Sequence, residues 1–168
     1  MQRAMAVAGS AIFLVIAPGG LAVVAPWWIS HWAVQAPILG FAVFRLAGFL
    51  LILAGIPVLL ESFWRFAMEG RGTPAPVLPP EHLVVRGYYR YVRNPMYVAV
   101  VSLILGQGLF FGSERLVAYG CVVWLAMHMF VVLYEEPKLR RTFGEEYEAF
   151  CVQVPRWVPR LSALREAW

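Results

Sequence analysis

The chain has 168 residues, of which 61% are hydrophobic and 14% charged, with 14 Lys and Arg against 10 acidic residues and a formal net charge of +4. That balance excludes an ordinary soluble domain and indicates a membrane protein. The basic residues crowd the ends of apolar segments, which argues against nucleic acid as a partner, and Cys121 and Cys151 fall in settings that imply no disulfide framework.

A transmembrane helix needs about 20 mostly apolar residues, and four segments offer candidates. Ala4 to Val24 is the first; Pro18, Gly19 and Gly20 weaken it, and the lack of a small-residue cleavage site predicts a retained helix rather than a signal peptide. Trp27, Trp28 and Trp32 then form an aromatic belt suited to an interface. Ile38 to Leu60 is the second span; Arg45 inside it costs about 2.5 kcal/mol or more unless it snorkels. The polar stretch from Glu61 to Asn94 opens with a helical extension, breaks at "GRGTPAPVLPPEH" and ends in an aromatic run containing Tyr88, Tyr89 and Tyr91, which predicts an ordered loop. Tyr97 to Phe111 and Leu116 to Tyr134 read as a hairpin of two further spans turning at Gly112-Ser113-Glu114-Arg115, the first of them short. Pro137 then interrupts or kinks the helix. Gly144 starts a short amphipathic piece with Tyr147, Phe150 and Cys151 near one face, and Trp157 in the tail suits an interface.

The expected architecture is an all-α integral membrane protein with about four transmembrane helices, read as one membrane domain over residues 1–168, with two helices in 1–60 and the helical hairpin in 97–134. Twelve of the fourteen basic residues fall before the first span, between the second and third, or after the fourth. Lys and Arg are retained on the cytoplasmic side, so both termini and the middle loop are expected there, in the inner or plasma membrane if the cell is bacterial. The same basic face favours anionic lipid headgroups.

Asn94 is suited to cap a helix and Pro95 to its first position, so the third span is expected to start there. A helix N-terminus flanked by Arg90 and Arg93 can form an anion pocket at the membrane surface. The hairpin returns Glu135 and Glu136 beside it, and a site with both signs suits a zwitterion. Each feature has a plainer reading: Asn94-Pro95 as a cap, the arginines as topology determinants or headgroup contacts, the glutamates as a solvated helix end. His128, seven residues before Glu135 on the same predicted face, could line a substrate tunnel with Val131, or simply bond a neighbouring helix. No metal ligand set is evident.

"RGYYRYVRNPMY", "YEEPKLRRTFGEEYEAF" and "VPRWVPR", in that order, resemble the isoprenylcysteine carboxyl methyltransferase and phospholipid methyltransferase families of integral membrane enzymes, over roughly residues 70–160. The resemblance implies transfer of a methyl group from S-adenosylmethionine to a lipophilic or small membrane-accessible acceptor at the cytoplasmic face. It implies a cofactor pocket made by the loop before the third helix and the C-terminal segment, from Glu81, His82, Leu83, Val84, Tyr89, Arg90, Asn94, Pro95, Met96, Tyr97 and Glu136. Glu135 and Arg93 are the expected catalytic residues, Glu135 facing the nucleophile. Eukaryotic relatives carry an arginine where Val131 stands, so a neutral nucleophile fits better here than a prenylcysteine carboxylate, with a phospholipid amine as another reading. The reading from a different class is a non-catalytic four-helix scaffold or transport-associated subunit.

Overall fold

The computed structural model describes residues 2–69 and 83–162; the expected cofactor residues Glu81 and His82 lie outside them. Among the described residues seven α-helices follow one another: α1 (Gln2–Gly19), α2 (Ala25–Ser30), α3 (Val43–Glu69), α4 (Pro95–Phe111), α5 (Glu114–Phe130), α6 (Glu136–Phe143) and α7 (Glu145–Gln153), with no strand. Wide π-helical turns at Gly20–Val24 and Val131–Glu135 join α1 to α2 and α5 to α6. Three helical segments are long and apolar enough to cross a membrane, Ala11–Ser30, Val43–Arg65 and Glu114–Phe143. The fourth expected span, α4, is largely apolar, but its 17 residues reach only about 25 Å against a hydrocarbon core of about 30 Å.

The last span runs on through Pro137 to Phe143 rather than ending at Tyr134, and two further boundaries differ from expectation, each for a local reason. The second span begins at Val43, not Ile38, because Leu39 and Gly40 take left-handed backbone (φ 53° and 77°) that an α-helix does not admit. Arg45 therefore lies in the first turn of α3, where its Nη2 donates to the Gln35 carbonyl. The first span runs on to Ser30 rather than stopping at Val24, with Pro18, Gly19 and Gly20 all inside the helical path. Its continuation needs outside donors. Pro26 has no N–H for the carbonyl of Ala22, and the N–H of Ala25 reaches back to Gly20 rather than Leu21. Gln107 Nε2 of α4 donates to the Ala22 carbonyl at 2.8 Å, and the Tyr119 hydroxyl of α5 donates to the Leu21 carbonyl at 3.1 Å.

α3 and α4 run antiparallel with their backbones touching. A Cβ on Gly48 would stand 2.5 Å from the Gly106 carbonyl and 2.6 Å from the Phe110 nitrogen, the kind of close approach that drives helix pairing where lipid offers no hydrophobic contrast. α4 also forms the core, with Ala99, Val100 and Ile104 packed against Leu59 and Phe63 of α3 and Val123 of α5. The hairpin to α5 is made as its residues predict: Gly112 takes left-handed backbone (φ 74°), and the Ser113 side chain accepts from the Leu116 N–H. This antiparallel arrangement collects the end of α3, the start of α4 and the segments after α5 at one basic end of the molecule.

Candidate functional site

A cavity of about 460 Å³ opens at the basic end, between α1, the start of α4, and the elements from the end of α5 to α7. Its volume lies in the range of small-molecule sites. The loop before α4 supplies one wall. Gly87 (φ 58°) turns that loop against α3, where a Cβ would run into the Glu61 carboxylate. Glu61 accepts from Arg65 Nε at 2.8 Å and from the Tyr88 N–H at 3.5 Å, which fixes the turn that carries Tyr89. Tyr89 is 7% exposed, lines the cavity, and its hydroxyl has no partner among the described residues. Burial, with the charges of Glu135 and Glu61 adding to it, pushes this phenol well above its ordinary range.

Across the cavity, the Tyr97 hydroxyl donates to Glu135 Oε1 at 2.5 Å. This is the expected meeting of the start of α4 with the end of α5. Leu83, Val84, Arg93, Asn94, Pro95 and Met96 line the cavity as well, whereas Arg90 faces a separate open hollow with Arg65 and Arg86. Asn94 occupies the N-cap position but does not cap; its Nδ2 donates to the Arg156 carbonyl at 3.1 Å, binding the C-terminal segment to the loop.

Glu136 points elsewhere. It is 5% exposed, lies off the cavity lining, and accepts from Arg156 Nε at 2.5 Å, Arg156 Nη2 at 2.9 Å and Arg93 Nη1 at 3.2 Å. These bonds raise the Arg156 pKa above the usual guanidinium value. Arg93 Nη1 also lies 2.8 Å from Cys151 Sγ, beside Tyr147, whose phenol burial pushes up. The resemblance implied a cofactor role for Glu136, and although it took in Arg156 within "VPRWVPR", nothing in the sequence paired that arginine with Glu136 twenty residues before it.

The face expected to join His128, Val131 and Glu135 does not form. The wide turn at Val131–Glu135 inserts about one residue into the helix and so rotates the helix beyond it by roughly 100°. Glu135 is left facing the cavity. Val131 is buried at 1% exposure, and His128 accepts from Trp157 Nε1 at 2.9 Å; neither lines the cavity. The apolar end of the cavity is lined instead by Phe13, Ala17 and Leu21 of the first span, Phe63 of α3, and Met127 and Phe130 of α5. Nothing in the periodicity of the first span marked it for this role. Tyr147 and Phe150 line the opposite end, on the face of α7 that the sequence did mark. Among the described residues no group of three or more His, Cys, Asp or Glu could hold a metal ion.

Comparison with known proteins adds to this geometry. A protein-S-isoprenylcysteine O-methyltransferase B of Arabidopsis thaliana is 30% identical over 138 residues, covering 79% of this chain. The chain spans 60% of that relative's length. No solved structure matches significantly. The family described as phospholipid methyltransferase matches residues 43–146, from the start of α3 into α7, and so takes in Tyr89, Tyr97, Glu135 and Glu136. The wall from the first span and the tail that carries Arg156 fall outside the matched region. By that match across more than half of its length, the chain belongs to the phospholipid methyltransferase family.

Proposed function

We propose that this protein is a membrane methyltransferase that uses S-adenosylmethionine and acts on an acceptor with an apolar tail and a neutral nucleophile, at the cytoplasmic face. The observation that carries the reading is the two-ended cavity, apolar toward the spans and polar where Tyr97 meets Glu135. The residues suit the cofactor. Its positive centres match the faces of Tyr89 and Tyr147, both on the lining, an attraction worth on the order of 1 kcal/mol per ring. Its carboxylate matches Lys138 and Arg93, both on the lining, and the buried, unpartnered Tyr89 hydroxyl supplies a polar atom that needs a partner. When bound, S-adenosylmethionine supplies an activated methyl group whose leaving group is a neutral thioether.

The chain's own part is positioning and proton management. Tyr97 donates to one oxygen of Glu135, a residue on the cavity lining, and leaves the other oxygen for a ligand. That oxygen takes the proton from an amine, thiol or hydroxyl acceptor, which then requires no cation to hold it. A carboxylate acceptor fits less well, because Val131 is apolar and off the cavity, and the lining cations Lys138 and Arg93 are already matched to the cofactor's own carboxylate. The isoprenylcysteine acceptor named for the Arabidopsis relative is therefore not the first choice here. Titration calorimetry on the detergent-purified protein tests the reading: S-adenosylmethionine and its demethylated product should both bind. Absence of binding by either at millimolar concentration would leave the non-catalytic scaffold.

A further inference from the structure

Residues 154–162 close the loop of the site from outside. The Arg93 N–H donates to the Pro155 carbonyl at 2.9 Å, the Arg160 N–H to the Tyr91 carbonyl at 3.0 Å, and Asn94 to the Arg156 carbonyl. One contact leads in another direction. Trp157 Nε1 donates to His128 Nδ1 at 2.9 Å, and the imidazole ring lies between Trp157 and Trp124 at centroid distances of 5.7 and 5.5 Å. His128 belongs to the span Glu114–Phe143, seven residues before Glu135, so it sits about 10 Å deeper along the helix than the polar site. Trp124 is 42% exposed and Leu125 52%, on the surface that this span offers to lipid.

The segment is also turned inside out for a water-facing tail. Its arginines are held by the protein's own polar groups, Arg156 by the buried Glu136 and Arg160 Nη1 by the surface carbonyl of Gln153 at 2.8 Å, while Val158 is 74% and Leu161 105% exposed. We propose that residues 154–162 form a strap seated in the bilayer interface. Its partner is the lipid itself: Trp157, Val158 and Leu161 enter the boundary between headgroups and acyl chains, continuous with the lipid-facing side of α5, while the inward-facing bonds hold the site's loop. An indole that is apolar but needs one hydrogen bond, and apolar side chains that bury roughly 5–10 Å deep, are what that boundary accepts. Seated so, the strap makes assembly of the loop depend on the bilayer.

Power-saturation spin-label spectroscopy tests this on the full chain in phosphatidylcholine vesicles. Labels are placed one at a time at Val158 and Leu161 through an introduced ketone amino acid, leaving Cys121 and Cys151 in place. Labels at Glu146 and Leu125 serve as the water-facing and lipid-facing references. The ratio of collisions with oxygen to collisions with a water-soluble nickel chelate should be about fivefold or more higher at 158 and 161 than at 146. Ratios equal to that at 146 would place the strap in water and overturn the proposal. With Trp157→Ala the ratio at 161 should fall toward that at 146 while the ratio at 125 holds, which separates loss of the anchor from loss of the fold. An unchanged ratio at 161 would remove Trp157 from the role assigned to it.

Discussion

A carboxylate offers about four lone-pair positions, and a single phenol bond leaves Glu135 with about three to turn toward a ligand. Glu136, next in sequence, is already held by three guanidinium nitrogens. The two residues should therefore fail differently. Glu135→Gln should lower turnover at saturating cofactor by about 100-fold and change cofactor affinity little, measured by steady-state kinetics beside calorimetry. Glu136→Gln should instead lower stability by about 2 kcal/mol in a detergent melt. That figure sits below the usual cost of breaking a buried pair because the Arg156 side chain is 33% exposed. Alkaline pH probes the same neighbourhood. The phenols of Tyr89 and Tyr147 are raised by burial, so the folded state holds their protons while the unfolded chain releases them near pH 10. Their contribution is complete below pH 10 and is lost as pH rises beyond it, and a series of melts from pH 8 to 11 should show stability falling only in the upper part.

At the scale of the helices, the wide turn of the first span is supported by side chains from two other helices. Gln107→Leu leaves the Ala22 carbonyl without its donor, and Tyr119→Phe does the same to Leu21. Each should cost about 1 kcal/mol in an unfolding titration, and the double variant should cost more than the sum, since the two carbonyls are adjacent and share one wide turn. What could be read in advance here was local chemistry. Gly112 and Ser113 carry the backbone conformation and hydroxyl that a hairpin turn demands, and Pro95 fixes the start of α4. The wide turns could not be read; the first depends on donors that α4 and α5 bring to the Ala22 and Leu21 carbonyls, which the span's own pattern does not show. The effect on the site was direct: an unbroken 3.6-residue period puts His128 with Glu135, and one extra residue separates them.

Across the whole molecule, the distribution of arginines states an orientation that the fold makes testable. The antiparallel helices bring Arg65, Arg86, Arg93 and Arg156 to one end, and the loop with Val34 to the other. A cysteine introduced at Arg86 should react with an impermeant maleimide only from the cytoplasmic side, and one at Val34 only from the opposite side; the reverse pattern would invert the assignment. The pairing of Tyr97 with Glu135 was legible in outline, because a hairpin must return its second arm to the start of its first. The apolar wall from Phe13 and Leu21 was not, since helices that are apolar on every side give no sign of which face meets a cavity.

The bonds from Pro155 to Arg93, Arg156 to Asn94 and Arg160 to Tyr91 each join chain positions more than sixty residues apart. During synthesis the loop around Tyr89 therefore emerges long before the segment that satisfies it, at translation rates of about 5–20 residues per second. For several seconds the spans can be inserted and paired while Arg93 and Asn94 still lack their partners. The order of events is thus set by the chain: bilayer insertion first, pocket last. A released chain that ended before residue 154 would keep all of its spans but lack the segment that holds its binding loop.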